Sequence, residues 1–537
     1  MPAREVAGTI ASPGYASGPL HLLETGAARY APSGDAAVEA ERLANAIGDA
    51  AAAVAGLMAT ADPDSAAILE FQVAMLEDDS LAEPAFAAIA AGEAAATAWT
   101  AAMAAHIAGY EAADDSYFRA RSADLADIRD SVLRALAGVE HGDLAVPAGA
   151  VLYGRDITPT RFLATDWQQG GAILLAEGSP ASHVAMLARS RGVPMLVGLG
   201  HLDATAGDLV LVDAEHGRVT VLPDTEAQHE FLTASTAYRR ALAIARSRAR
   251  DAATTARGER VDMLVNIAEP VDVDAIDIAT CDGVGLMRTE FLFTRGLPGE
   301  EAQYEAYRKV LAWAAGKPVT IRTVDAGGDK PVPGYTVEEA NPFLGQRGIR
   351  LSLARPDVFR VQVRALLRAA VLGELKVMFP MVTLVEEYRA AAAIFSQEAQ
   401  ALADAGIPHR MPPLGIMVEV PAVAIDPAPF AGVAFFSIGS NDLTQYVMAA
   451  GRDSGAVNHL ADVRHPAVLS LIRNVARFGR EKAIPVSLCG DAGGDPAVIP
   501  LLIGAGLRAL SVAAAQLPLA KAAVATVGTG DSADAAR

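Results

Sequence analysis

With 537 residues, 52% of them hydrophobic and 20% charged, the chain has material for two or three cores and reads as an Ala-rich globular protein. Lys plus Arg number 44 against 64 Asp plus Glu, and the net charge of -20 argues against nonspecific nucleic-acid binding and against anchoring on an anionic membrane, while admitting a basic protein partner. Only Cys281 and Cys489 occur, so no disulfide framework forms; with no apolar leader and no membrane-spanning run, a soluble cytoplasmic protein is expected.

Residues 1–22 read as short strands around Ser12-Pro13-Gly14. From about 34 to 138 the pattern turns to Ala-rich helical periodicity. One helix carries Ile68, Leu69, Phe71, Val73, Met75 and Leu76 before the acidic break Glu77-Asp78-Asp79. Another carries Leu125, Ile128, Val132, Leu133 and Leu136 and stops at Gly138. Short apolar runs then return: Val151-Leu152-Tyr153, Ala172-Ile173-Leu174-Leu175, Met195-Leu196-Val197 and Leu209-Val210-Leu211-Val212. Turn residues and one helix separate them, which is the pattern of an α/β unit. The simplest division is an α/β domain of residues 1–22 plus 143–223, with a helical subdomain, 23–142, inserted in it.

Within that domain Gly178-Ser179-Pro180-Ala181-Ser182-His183 runs into the helical pattern Val184-Ala185-Met186-Leu187-Ala188-Arg189. A helix N-terminus offers unpaired N–H groups and partial positive charge, so it holds phosphate. The same field disfavours imidazolium and keeps the ring neutral and nucleophilic. Taken alone, a helix start with a satisfied surface or core histidine explains the run better. The residues that follow reverse that balance.

Residues 224–256 form a polar helical pattern with Arg239, Arg240, Arg246, Arg248 and Arg250, read as a solvated linker helix. Beyond it, strand-like runs at 262–266, 283–287, 318–323, 375–379, 414–418, 433–438, 485–488 and 509–512 alternate with helical patterns. That fits a (β/α)8 TIM-type barrel spanning 257–526, whose chemistry sits at the strands' C-terminal ends. A doubly wound sheet is the alternative. The tail, 527–537, reads as disordered.

The chemically distinctive residues fall at those strand ends. Arg288 follows the second run in Arg288-Thr289-Glu290-Phe291-Leu292-Phe293, and Arg322 lies in the third, ahead of Gly327-Gly328-Asp329-Lys330. Glu419 ends the fifth; Asn441 and Asp442 follow the sixth, with Arg452 beyond; Cys489 ends the seventh. Arginines there suit a substrate with phosphate and carboxylate groups, which guanidinium binds bidentately. Glu419 and Asp442 are hard oxygen ligands of the kind that hold Mg²⁺ alongside water and substrate oxygens. Asn441 suits a phosphate hydrogen bond. Cys489 suits a proton donor, although a cysteine there also serves as a small apolar filler.

At these motifs, together with Glu339-Ala340-Asn341-Pro342-Phe343-Leu344-Gly345 and Ser440-Asn441-Asp442-Leu443-Thr444-Gln445-Tyr446, the chain resembles the phosphoenolpyruvate-protein phosphotransferases, the enzyme I family of the bacterial phosphoenolpyruvate:sugar phosphotransferase system. The resemblance runs in order from Ala11-Ser12-Pro13-Gly14 to the last barrel motif. It implies that His183 is the phosphorylated residue, accepting on Nε2. Arg288, Arg322 and Arg452 would clamp phosphoenolpyruvate with Asn441 and Asp442. Glu419 and Asp442 would hold Mg²⁺, and Cys489 would protonate the enolate of pyruvate. It further implies that the inserted helices dock the phosphocarrier HPr, through acidic positions such as Glu70, Glu77, Asp78 and Asp79, and that the barrel forms a homodimer.

The sequence departs from that pattern in four places. Ala181 replaces a threonine beside the histidine, and Phe162 stands where a threonine that bonds the ring is expected, leaving Thr158 or Thr160 as substitutes. Ser440 replaces a threonine and Asp491 a glutamate. Two other readings stay open: a pyruvate phosphate dikinase or phosphoenolpyruvate synthase, which would need an ATP-binding domain before the histidine, and a regulatory paralogue without catalysis.

Overall fold

The computed structural model describes residues 4–23, 30–58, 69, 72–111, 116–138, 146–178, 182–293, 296–328, 332, 334–337, 339–451, 457 and 460–528. The chain forms two compact units, residues 1–238 and 239–537.

The first unit is built on a mixed sheet of eight strands: β1 (Arg4–Ala7), β2 (Thr9–Ser12), β3 (Tyr15–Leu22), β4 (Val151–Gly154), β5 (Ala172–Leu175), β6 (Met195–Val197), β7 (Leu209–Asp213) and β8 (Arg218–Val221). Their order is β1-β8-β7-β3-β4-β5-β6-β2, parallel from β3 through β6 and antiparallel elsewhere. Both faces are covered, because successive side chains point to opposite sides. Leu152, Ile173 and Leu175 face one core, while Val151, Ala172 and Leu174 face the other. The expected apolar runs are the strands observed, to within a residue or so. β8 was not anticipated.

Between β3 and β4 lie the helices α1 (Ala36–Met58), α2 (Asp79–Ala90), α3 (Ala95–Glu111) and α4 (Ser116–Leu136). They close around fully buried Trp99, Leu43, Leu69 and Leu125, and the Trp99 indole donates to the Arg129 carbonyl at 3.1 Å. Small alanines let these helices approach closely. Glu39 ties the ends of the group together: it accepts from Tyr30 Oη at 2.6 Å, Ser33 N at 2.7 Å and Ala95 N at 2.7 Å. The sheet domain is completed by α5 (Pro159–Ala164) and α6 (His183–Arg191).

Helix α7 (Thr225–Ser247) leaves the sheet. Its polar composition suggests solvent on all sides, yet Phe231 and Tyr238 pack on Tyr15 of β3 with ring centroids 5.6 and 5.3 Å away. Seven residues apart, the two rings share one helix face, a stripe diluted in the sequence by arginines.

The second unit is a closed, all-parallel eight-stranded barrel of β9 (Asp262–Ile267), β10 (Val284–Met287), β11 (Val319–Arg322), β12 (Leu375–Phe379), β13 (Leu414–Val418), β14 (Phe436–Gly439), β15 (Val486–Cys489) and β16 (Ala509–Ala513). The eight strands coincide with the eight expected runs to within a few residues, and closure excludes the doubly wound alternative. Parallel strands buried on both faces read as continuous apolar runs, which is why they were legible. Outside the barrel, Phe359, Phe379 and Phe395 join one large core. Of the tail, residues 529–537 lie outside the described part, while the Val527 carbonyl accepts from Ala256 N at 3.0 Å. Among the described residues no helix is long and apolar enough to cross a membrane.

Candidate active site

The barrel's C-terminal rim gathers most of the expected residues. β11 ends in Arg322, whose side chain is 5% exposed and pairs with Glu290 Oε2 at 3.1 Å and Asp325 Oδ2 at 2.9 Å. Burial opposes its charge, but Glu290, Asp325 and Glu419 outweigh that and keep it protonated. Its Nε is buried without a hydrogen-bond partner. Arg288, just past β10, is exposed. Thr289 beside it is buried and donates to the Arg322 carbonyl at 3.1 Å, holding the two strand ends together.

β13 delivers Glu419, 1% exposed. Its Oε1 accepts from Met381 N at 2.6 Å, and its Oε2 is buried with no partner. Burial first, then the neighbouring charges of Asp442 and Asp325, push this carboxyl up to about 8. β14 runs directly into α8 (Ser440–Met448), which places Asp442 in the first helical turn and Asn441 beside the β15 end. Ser440 donates its hydroxyl to the Cys489 carbonyl at 2.9 Å. Asn441 and Asp491 bond reciprocally, Nδ2 to Oδ2 and Oδ1 to the Asp491 N–H, both at 3.1 Å. Gly490, at φ +105°, permits this, since a Cβ there would lie 2.8 Å from Asn441 Oδ1.

Cys489 ends β15, 2% exposed. Burial pushes its thiol up to about 11; the Ser437 hydrogen bond opposes this, Glu419 adds to it, and Arg322 and Arg288 pull the other way. Arg288, Arg322, Glu419, Asp442 and Cys489 therefore act on one another within a single rim. Arg452 lies outside the described residues.

One central residue was not anticipated. Arg347 is fully buried and bonds Asp325 with Nε and Nη2, and Asp442 with Nη1 and Nη2. It sits in a loop, not at a strand end. Gly327, at φ +107°, makes room, because a Cβ there would fall 2.9 Å from the Gln346 carbonyl and 3.1 Å from Arg347 Cα. Two guanidinium groups, Arg322 and Arg347, thus face four carboxyl groups, those of Glu290, Asp325, Glu419 and Asp442.

Among the described residues no three His, Cys, Asp or Glu side chains converge as a ready-made metal cage. The donor chemistry nevertheless fits Mg²⁺. Glu419 and Asp442 are hard oxygen donors, Glu419 Oε2 is orphaned, and the local carboxyl excess calls for positive charge.

In the first unit His183 is the first residue of α6; its side chain lies outside the described part. Ser182 caps the helix, accepting from Ala185 N at 3.2 Å, and Gly192 ends it at φ +66°. Phe162 is fully buried beside Val184, Ala185 and Ala188 and stacks on Trp167 at 5.3 Å. Thr158 caps α5, accepting from Arg161 N at 3.3 Å. Thr160 bonds instead to the inserted helices, donating to Asp127 and lying 3.1 Å from Gln72 Oε1. Of the acidic positions expected to meet a partner, Glu77 and Asp78 are exposed, Glu70 lies outside the described residues, and so does the Asp79 side chain.

Family models match along nearly the whole chain: residues 7–121 the N-terminal part of phosphoenolpyruvate-utilising enzymes, 146–217 their mobile domain and 243–529 their phosphoenolpyruvate-binding domain. Barrel and rim together thus define a phosphoenolpyruvate-utilising enzyme. A phosphoenolpyruvate-protein phosphotransferase of Haloferax volcanii is 41% identical over 427 residues, 78% of this chain and 74% of that protein. One from Staphylococcus aureus is 38% identical over 470 residues, 84% of this chain and 81% of its own. The chain belongs to the phosphoenolpyruvate-protein phosphotransferase family. An NMR solution structure titled Enzyme I aligns with 44% of this chain and 99% of its own, at 24% identity and a TM-score of 0.38.

Proposed function

We propose that the chain transfers the phosphoryl group of phosphoenolpyruvate to His183 and then to a histidine of the phosphocarrier HPr, releasing pyruvate, as the first step of sugar uptake. The observation that carries this is the convergence of Arg322, Arg288, Glu419, Asp442 and Cys489 at one barrel rim.

Phosphoryl transfer passes through a loose, in-line transition state, so the protein contributes mainly positioning and charge neutralisation. Arg288, Arg322 and Arg452 bind the carboxylate and phosphate oxygens, and Asn441 orients the phosphate. Glu419 and Asp442 would hold Mg²⁺, which supplies positive charge against the phosphoryl oxygens when bound. The ester P–O bond breaks and a P–N bond forms at Nε2 of neutral His183, at a helix N-terminus suited to the phosphate that results. Cys489 gives its proton to the methylene carbon of the enolate, which becomes pyruvate.

The division proposed is a phosphohistidine domain of residues 1–22 and 143–223, an HPr-docking insert of 23–142, a linker helix at 224–256 and a barrel of 257–526 that also forms the homodimer. The His183 domain swings between rim and HPr, in a cytoplasmic enzyme, with the linker helix and its ends as hinge. The acidic insert supports a basic docking partner.

Incubation with ³²P-labelled phosphoenolpyruvate and Mg²⁺, with and without HPr, tests the reading. Acid-labile, alkali-stable label on His183 that chases onto HPr supports it. Absence of label, or label that arrives only with ATP as a dikinase requires, overturns it.

A further inference from the structure

Beneath Cys489 the barrel interior is apolar, with Leu286, Met378, Met417 and Phe435 packed into one small cluster with it. One hydroxyl intrudes. Ser437 on β14 is fully buried, and its Oγ donates to Cys489 Sγ at 3.5 Å. The strand register explains the contact: Gly439 lies opposite Cys489 and Ser437 opposite Ser487, so the serine sits one pleat below the thiol on the same barrel face. The thiol in turn donates to the Ile438 carbonyl at 3.6 Å. Its sulfur is therefore held at two points, with the S–H on a carbonyl and a lone pair on the serine O–H.

A neutral thiol sulfur is a weak acceptor, so this bond compensates poorly for burying a hydroxyl. An alanine would pack more simply among methionine and phenylalanine. The serine gains its value when the sulfur carries charge, because a hydrogen bond to the charged form stabilises that form and is much stronger. Burial, which pushes the thiol up to about 11, makes a lone thiolate costly at this position. Among the described residues, the Ser437 hydroxyl is the group that donates to Sγ.

We propose that Ser437 is a positioning residue for the proton-transfer half of the reaction, orienting the Cys489 sulfur and stabilising the thiolate left after protonation of the enolate. This rests on the reading of Cys489 as the acid. In that step the S–H bond breaks and the enolate's electron pair forms the new C–H bond. Sulfur keeps the S–H pair, the serine O–H stays intact, and water later reprotonates the thiolate. Because the serine bond strengthens as charge develops, it lowers the barrier rather than tightening substrate binding.

The full chain with Mg²⁺ gives two separable measurements: deuterium uptake from D₂O into the methyl group of pyruvate, and single-turnover ³²P transfer from phosphoenolpyruvate to the protein. Ser437→Ala is expected to slow deuterium uptake about 10- to 100-fold, with KM for pyruvate unchanged and ³²P transfer reduced less than about 3-fold. Ser437→Thr, which keeps the hydroxyl, is expected to restore exchange relative to Ser437→Val, its equal in shape. That pair decides the matter should the alanine variant fail to fold. Equal loss of both measurements, or exchange in Ser437→Val matching Ser437→Thr, overturns the proposal. Cys489→Ala separates it from the reading beneath: full exchange in that variant removes Cys489 as the acid, whereas abolished exchange beside a normal Ser437→Ala rate removes Ser437 alone.

Discussion

Arg347 meets Asp325 side-on, with Nε 3.0 Å from Oδ1 and Nη2 3.0 Å from Oδ2, and the same guanidinium reaches Asp442 at 3.1 and 3.3 Å. One planar cation thus fixes a loop carboxylate and a helix carboxylate together. A lysine has neither the fork nor the reach. Arg347→Lys is expected to lower single-turnover phosphoryl transfer by at least about 100-fold, because both carboxylates lose their paired geometry. Far-UV circular dichroism should remain that of the parent. Activity within about threefold of the parent, by the same ³²P measurement, would remove Arg347 from the site's organisation.

Glu419 carries a pH signature. An exposed glutamic acid ionises at 4.5, whereas this one holds its proton up to about 8. Between those values the folded state binds more protons than the unfolded one, so its contribution to stability falls as pH rises. Glu419→Gln removes the charge that must be buried. Its melting temperature is expected to exceed the parent's by several degrees at about pH 9 and to match it near pH 4.5. Mg²⁺ should stabilise the parent and not the variant. Equal Mg²⁺ stabilisation of both would exclude Glu419 as a ligand.

Thr160 fastens the sheet domain to its helical insert. Its hydroxyl donates to Asp127, which also accepts from Gln72 Nε2 at 3.1 Å, and burial pushes the Asp127 carboxyl up against both bonds. Thr160→Val keeps the shape and deletes a donor. The expected loss is about 1–3 kcal/mol in urea unfolding, with an unchanged m-value. A variant as stable as the parent would show that the Asp127 contact contributes nothing net.

Glu39 titrates in the opposite sense. Burial raises it, but hydrogen bonds from Tyr30, the Ala95 N–H and Ser33 outweigh burial and bring it down to about 2. Its contribution to stability is complete above its ordinary value of 4.5 and disappears as pH falls toward about 2. Glu39→Gln is expected to lower the melting temperature at neutral pH and to flatten its decline in acid over that window. A parallel decline in parent and variant would show that Glu39 is not the group responsible.

Most of the barrel was legible because its strands are buried on both faces and bounded by Gly, Pro or Asp. β8 was not, since Arg218-Val219-Thr220-Val221 alternates over only four residues. The rim residues were visible wherever chemistry coincided with a strand end, as at Arg322, Glu419 and Cys489. Arg347 escaped because its place depends on Gly327 and Asp325, both some twenty residues away along the chain. The only local hint was its setting in Gly345-Gln346-Arg347-Gly348, with Gly348 at φ +61°. Ser437 was hidden inside an apolar run, where a single hydroxyl carries no pattern.

The pairing of β3 with β4 bears on how the first unit assembles. Leu20 lies opposite Val151 and Leu22 opposite Tyr153, so neighbouring strands are separated by more than a hundred residues of chain. Drawing such distant segments together from an extended polymer is slow and entropically costly. The helices in between rely on contacts that are closer in sequence, and once folded around Trp99 they replace a long floppy loop with a compact body. Refolding of the sheet should therefore wait on the insert, and a chain whose helices are destabilised should show its delay in strand formation.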